Sequence, residues 1–369
     1  MVSDSERDAD MLYAVGMFVP DAFICLRING RCHIVMSDLE IDRARREAPH
    51  CRVLSWTHYS NHLHKAGVRN VTHAQVINAI LRERGLRSIQ VPEQFPVGLV
   101  RRLRDLGLRV GLMKGPCFPE RQHKRADEVK KISAALMMAE VGLSEAHQAL
   151  KNAKVGRNRR LLYHNVPLTS EKLRSIIDTA IIQSGGLAAH TIVAGGRQSC
   201  DPHERGHGPL RANEPIVVDV FPRSQKTGYF GDITRTFVKG RAAEPLRKLY
   251  HTVALGQALA FKQFKAGARG VEVHKSIEDF FTQQGYKTCR HNGRMEGFFH
   301  GTGHGLGMEI HEAPRVAPNS RDILCRGHVV TVEPGLYYPE LGGVRLEDVA
   351  LVTANGARNL TKFEKVLEV

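Results

Sequence analysis

Four carboxylates stand where carboxylates are costly. Asp219 interrupts the apolar run Ile216-Val217-Val218-Asp219-Val220, and Glu333 follows Val329-Val330-Thr331-Val332. Asp232 and Glu347 complete the same plan twice over: an apolar strand with one acid, a loop, then a second strand with another, at nearly equal spacing. A carboxylate in such a run is expensive to bury unless something neutralises it, and four in one core would repel one another. A pair of divalent cations removes the problem. Hard oxygen ligands with one imidazole suit manganese, cobalt, zinc or iron, and carboxylates that bridge can hold two such ions about 3.5–4 Å apart. The chemistry open to that centre is hydrolysis.

The imidazole is offered by the stretch FFHGTGHGLGMEIHEAP, residues 298–314, whose glycines permit the close backbone approach that would place His304 deep in a site. The run does not fit G-x-G-x-x-G, and no G-K-[ST] occurs, so a dinucleotide or phosphate loop is discarded. A second metal signature is a decoy. His203-Glu204-Arg205-Gly206-His207 reads H-E-x-x-H, which works only on a helix that carries both histidines on one face. Pro202 precedes it, Gly206 interrupts it and Gly208-Pro209 follows, so no helix is expected there.

Positioning such a site takes more than one core. The chain has 369 residues, which suggests two domains. The expected boundary is the Pro/Gly break at 115–119, giving an N-terminal α/β domain over 1–118 and a second domain over 119–369. In the first, apolar runs 22–28 and 31–36 are joined by Asn29-Gly30, a hairpin signal. Ser37 is expected to cap a helix through Ala48, and Thr72 another ending near Gly85. In the second, helices are expected over roughly 120–153, 170–184, 243–265 and 271–284. Asp219, Asp232, Glu333 and Glu347 fall on two hairpins of like build.

Composition narrows the setting. Hydrophobic content of 42% and charged content of 25% are those of a soluble globular protein. Seven scattered cysteines without a C-x-x-C pair point to a reducing compartment. Neither a signal peptide nor a membrane span is read, and a cytoplasmic location is expected. Net charge is +15, but the positives fall in short groups such as Arg43–Arg46 and Arg157–Arg160 with no interleaved aromatics. They read as solvated helix faces, and nucleic acid is not an expected partner.

The ordered set Asp219, GDITRTF with Asp232, HGTGHGLG with His304, VEPG with Glu333 and RLED with Glu347 resembles the pita-bread metallopeptidases. The extra N-terminal module resembles the creatinase-type domain of their proline-directed branch, the Xaa-Pro aminopeptidases and Xaa-Pro dipeptidases. The resemblance implies a creatinase-like α/β domain followed by a pita-bread catalytic domain, and a dinuclear-metal exopeptidase that removes an N-terminal residue ahead of proline. By motif, Asp219 would chelate one ion, Asp232 and Glu347 would bridge both, and His304 and Glu333 would complete the shells. Glu333 would also be the general base. His311 and His203 would hydrogen-bond the substrate or the developing oxyanion, and Tyr337 would add a hydrogen bond. Arg345, two residues before Glu347, would hold that carboxylate from behind. Relatives of this kind are often homodimers. The alternative is a catalytically idle pita-bread protein that binds protein or RNA. Phe221 departs from the glycine most relatives carry two residues after the first aspartate, which bears on the pocket wall.

Overall fold

A computed structural model describes residues 1–369. The chain divides into two compact units, Met1–Arg121 and Gln122–Val369.

The first unit is built on a four-stranded sheet of Val2–Ser3, Phe23–Ile28, Arg31–Met36 and Arg52–Ser55, in that order. Side chains alternate across a strand, so both faces of this sheet are buried in different cores. Cys25, Ile34 and Met36 pack with Met11, Ala44 and Cys51 on one face. Ile24, Leu26 and Val35 pack with Val76, Ile77 and Ile80 on the other. The Asn29-Gly30 hairpin is present, both residues having positive φ. Thr72 caps the helix His73–Arg82 through a capping box with Gln75. Ser37 does not cap. Its carbonyl instead accepts from Glu40 and Ile41 in a turn, and the helix starts four residues later, Ile41–Glu47.

In the second unit the first long helix runs Ala126–Asn152, not from residue 120. Pro119–Gln122 is a separate 3-10 turn, and Glu128 reaches back to the Arg125 N–H at 2.9 Å to set the start. Ser170–Gln183 packs against this helix, capped by Thr169, whose hydroxyl accepts from the Lys172 N–H. Beside them lies a three-stranded antiparallel sheet of Ile192–Gly195, Ile216–Val220 and Ile233–Phe237. Later in the chain the plan recurs. Helices Glu244–Gln263 and Gly270–Gln283 pack together, and with them goes a five-stranded sheet ordered Glu312–Val316, Gly303–Gly305, Val329–Val332, Asp348–Val352 and Ala357–Asn359. Val253, Ile277, Phe281, Val330 and Val332 lie in the core beneath. No helix is long and apolar enough to cross a membrane.

The two acid-bearing segments are alike but not identical hairpins. Ile216–Val220 pairs directly with Ile233–Phe237. Val329–Val332 pairs with Asp348–Val352, and the chain between them folds into its own small hairpin, Gly335–Tyr338 with Gly342–Arg345.

Candidate metal centre

Of the four acids, only Asp219 lies inside a strand. Asp232 immediately precedes Ile233–Phe237, Glu333 follows Val329–Val332, and Glu347 sits between Gly342–Arg345 and Asp348–Val352. Strand ends release the backbone from the ladder, so these side chains turn toward a common point. Two glycines let the surrounding elements close in. A Cβ on Gly303 would come 1.9 Å from the Thr331 carbonyl oxygen, and one on Gly231 would come 2.4 Å from the Leu136 backbone nitrogen. Neither distance is tolerable for any other residue.

The result is a cavity of about 600 Å³ on which Asp219, Asp232, His304, Glu333 and Glu347 converge with His203, His311 and Arg345; Tyr337 lies behind it. Ligand atoms of Asp232, His304 and Glu347 lie within 4.8 Å of one another. His304 Nε2 is 3.4 Å from Glu333 Oε1 and 3.7 Å from Asp232 Oδ2. His304 Nδ1 donates to the Gly305 carbonyl at 3.2 Å, which leaves the Nε2 lone pair facing both carboxylates.

That arrangement is repulsive as it stands. Burial, and then the neighbouring carboxylates Glu347, Asp219 and Glu333, push the Asp232 carboxyl well above its ordinary range. Glu347 is raised in the same way, by burial and then by Glu333 and Asp219. Burial pushes Glu333 up to about 7 against the pull of Arg345. Burial, aided by His311, brings His304 down to about 3 and keeps it neutral. Asp219 Oδ1 is buried with no hydrogen-bond partner. An orphaned carboxylate oxygen, three carboxyls resisting ionisation and a neutral imidazole lone pair aimed at them are a donor set that fits divalent cations.

The frame behind the acids is specific. Arg345 does not hold Glu347. Its strand ends at that residue, so the same-face rule no longer applies at Glu347, and its guanidinium reaches across to Asp219 Oδ2 at 2.7 Å. Arg345 also donates to the Tyr337 hydroxyl at 3.2 Å, and Tyr337 in turn meets His300 Nε2 at 2.8 Å. His300 Nδ1 is spent on the Gly301 carbonyl, so the Tyr337 hydroxyl is the donor in that last contact. Glu347 is held instead by the Thr234 hydroxyl, 2.8 Å from its Oε2. Its backbone is pinned at both ends, its N–H to the Thr234 carbonyl at 3.1 Å and its carbonyl by Arg235 at 2.6 Å. Gln257, from the helix Glu244–Gln263, donates to the carbonyls of Val332 and Leu346, the residues just before Glu333 and Glu347.

Sequence reasoning missed Thr234, Arg235 and Gln257. The first two lay in the quoted GDITRTF motif; Gln257 gave no signal. It also missed Arg315, an exposed cation on the cavity wall, four residues after His311. Phe221 lines the same wall with Phe299 and Ile310. Residues 201–207 contain no helix; His203 reaches the cavity while His207 is exposed, 3.6 Å from Glu204.

Comparison with known proteins bears on the fold and the family. Over its full length the chain superposes on an X-Pro aminopeptidase from Thermotoga maritima with a TM-score of 0.83 at 21% identity, covering 97% of that chain. The fold is thus a creatinase-like α/β unit followed by a pita-bread unit. In sequence it is 37% identical to an Xaa-Pro dipeptidase of Pyrococcus furiosus over 181 residues, 49% of each chain. It is 41% identical to the uncharacterised peptidase YqhT of Bacillus subtilis over 176 residues, 48% of this chain and 47% of that one. The chain spans about half the length of the curated relatives it matches. The model of metallopeptidase family M24 matches residues 130–354, a stretch that holds every acid, histidine and arginine of the cavity described above, and the chain belongs to that family.

Proposed function

We propose that this protein is a metal-dependent exopeptidase that removes an N-terminal residue ahead of proline, with residues 119–369 as its catalytic domain. The observation that carries the reading is the convergence of Asp219, Asp232, His304, Glu333 and Glu347 on one cavity. These five residues would hold two divalent cations, manganese, cobalt, zinc or iron. What such a pair supplies when bound is Lewis acidity toward water and toward the scissile carbonyl. The chain's own groups do the rest. Glu333 takes the proton of the attacking water and passes it to the leaving proline nitrogen as the C–N bond breaks. His311, its ring centroid 4.4 Å from that of His304, and His203 on the same cavity hydrogen-bond the peptide and the developing oxyanion. The Arg315 guanidinium is available to a peptide carboxylate, which favours short substrates. Homodimeric assembly in the cytoplasm goes with this reading. The idle binding-module alternative has no support at the site, since none of the five candidate ligand residues is missing.

The test is hydrolysis, with added manganese, of an Xaa-Pro dipeptide, an Xaa-Pro-Yaa tripeptide and a Met-Ala dipeptide. Cleavage of at least one proline substrate well above Met-Ala is expected. Preference for Met-Ala, or no cleavage of any, overturns the proposal.

Arg345 gives a second expectation. It holds Asp219 from behind at 2.7 Å. Arg345→Ala should weaken metal affinity or turnover by about 10–100-fold, the usual cost of losing a group that orients a ligand. Calorimetric titration beside kcat reads this; a variant with unchanged affinity and rate would reduce Arg345 to a buried structural cation.

A further inference from the structure

Outside the metal centre, the most reactive side chains gathered together are thiols in the N-terminal unit. Cys25 and Cys32 lie on the paired strands Phe23–Ile28 and Arg31–Met36, where Cys25 is opposite Ile34 and Arg27 opposite Cys32. The two cysteines are therefore diagonal neighbours on one face, and their Sγ atoms stand 3.5 Å apart. The next strand runs parallel with His33 beside Arg52, which continues one step back to Cys32 beside Cys51. Cys51 Sγ in turn meets the Ala14 carbonyl at 3.5 Å. A row of three thiols thus crosses the sheet. A cavity of about 940 Å³, larger than the one at the metal centre, opens onto Cys25 and Cys32.

Buried cysteines usually pack as small apolar groups. Two features set this pair apart. Their sulfurs are in contact, so rotation of both side chains with a slight approach of the two strands brings them to the bond length of about 2.05 Å. The cavity also gives a small reagent a way in.

We propose that Cys25 and Cys32 are an oxidisable dithiol, converted to an intrachain disulfide by low-molecular-weight disulfides that enter this cavity. In the first step Cys32 sulfur attacks one sulfur of the reagent RSSR; the reagent's S–S bond breaks and RS⁻ leaves. In the second, Cys25 sulfur attacks the Cys32 sulfur of the mixed disulfide and expels a second RS⁻. The two cysteine protons go to the two leaving thiolates, so one RSSR is reduced to two RSH as the dithiol is oxidised. Against the pull of its hydrogen bond with Cys25, the contact with Cys51 and burial push Cys32 up to about 12, so the exchange speeds as pH rises.

The experiment uses the intact, folded chain, so no variant need fold. The protein is incubated with glutathione disulfide, trapped with an alkylating agent, denatured, and read by intact mass and peptide mapping. Expected is the loss of two hydrogens, a fall in free thiols from the seven of the sequence to five, and one cross-linked peptide joining Cys25 to Cys32, reversed by dithiothreitol. A stable glutathione adduct without a cross-link overturns the proposal. So does a bridge between any other pair, Cys32–Cys51 and Cys117 pairings included, or a chain still holding all seven thiols at equilibrium.

Discussion

Glu333→Gln is expected to lower kcat by at least about 10³-fold, because one side chain is asked to be both ligand and general base. The amide keeps the shape of the carboxylate but can neither take a proton nor contribute charge. The fold should be kept. Glu333 is at the end of a strand, with Thr331 Oγ1 3.5 Å from its Oε1, and its backbone N–H bonds to the Thr302 carbonyl at 2.8 Å, a contact the substitution leaves in place. Steady-state kinetics at saturating metal, beside a thermal melt, separates loss of catalysis from loss of fold. Glu204→Gln is the matched control. Glu204 belongs to the H-E-x-x-H stretch, yet it sits in a helix-free loop, bonding the Gly206 N–H at 2.9 Å. It should stay within a few-fold of the parent. A dead Glu204→Gln with an active Glu333→Gln would move the site elsewhere.

Removing metal should have an effect just as large. A chelated chain is expected to lose essentially all peptidase activity and to recover it as two equivalents of a divalent ion are returned. Stability should move with it, independently of activity. Asp219 Oδ1 is buried without a partner, and Asp232, Glu333 and Glu347 resist ionisation together. An ion that binds only the folded chain adds about 2.7 kcal/mol of stability at 100 times its dissociation constant. The metal-loaded chain should therefore melt higher than the chelated one, and elemental analysis should find two ions per chain. An active chain carrying no metal would refute the centre outright, and one ion per chain would refute its dinuclear form.

The same residues show what a linear sequence can and cannot carry. Asp219 was legible because a charge inside an apolar run contradicts its surroundings; Asp232, Glu333 and Glu347 were legible from the repeated spacing and from the motifs GDITRTF, VEPG and RLED. The long helices were legible from period and caps: Thr72 and Thr169 stand as N-caps. The absence of a helix at 201–207 followed from Pro202 and Gly206, whose effects are local. Other features were decided only by the fold. Arg345 was expected beside Glu347 because alternation places residues two apart on one face, but that rule lasts only as long as the strand, which ends at Arg345. Its partner is Asp219, 126 positions away, and no local pattern encodes such a pairing. Ser37 had the chemistry of a cap, yet its carbonyl closed a turn first. Thr234, Arg235 and Gln257 are ordinary residues in sequence and become the frame of the site only when separate sheets and a helix bring them to the backbone around Glu333 and Glu347. Residue type and local spacing therefore determined which groups can hold charge and where helices begin. Which group faces which is set by contacts between distant segments, and these exist only once the chain has packed.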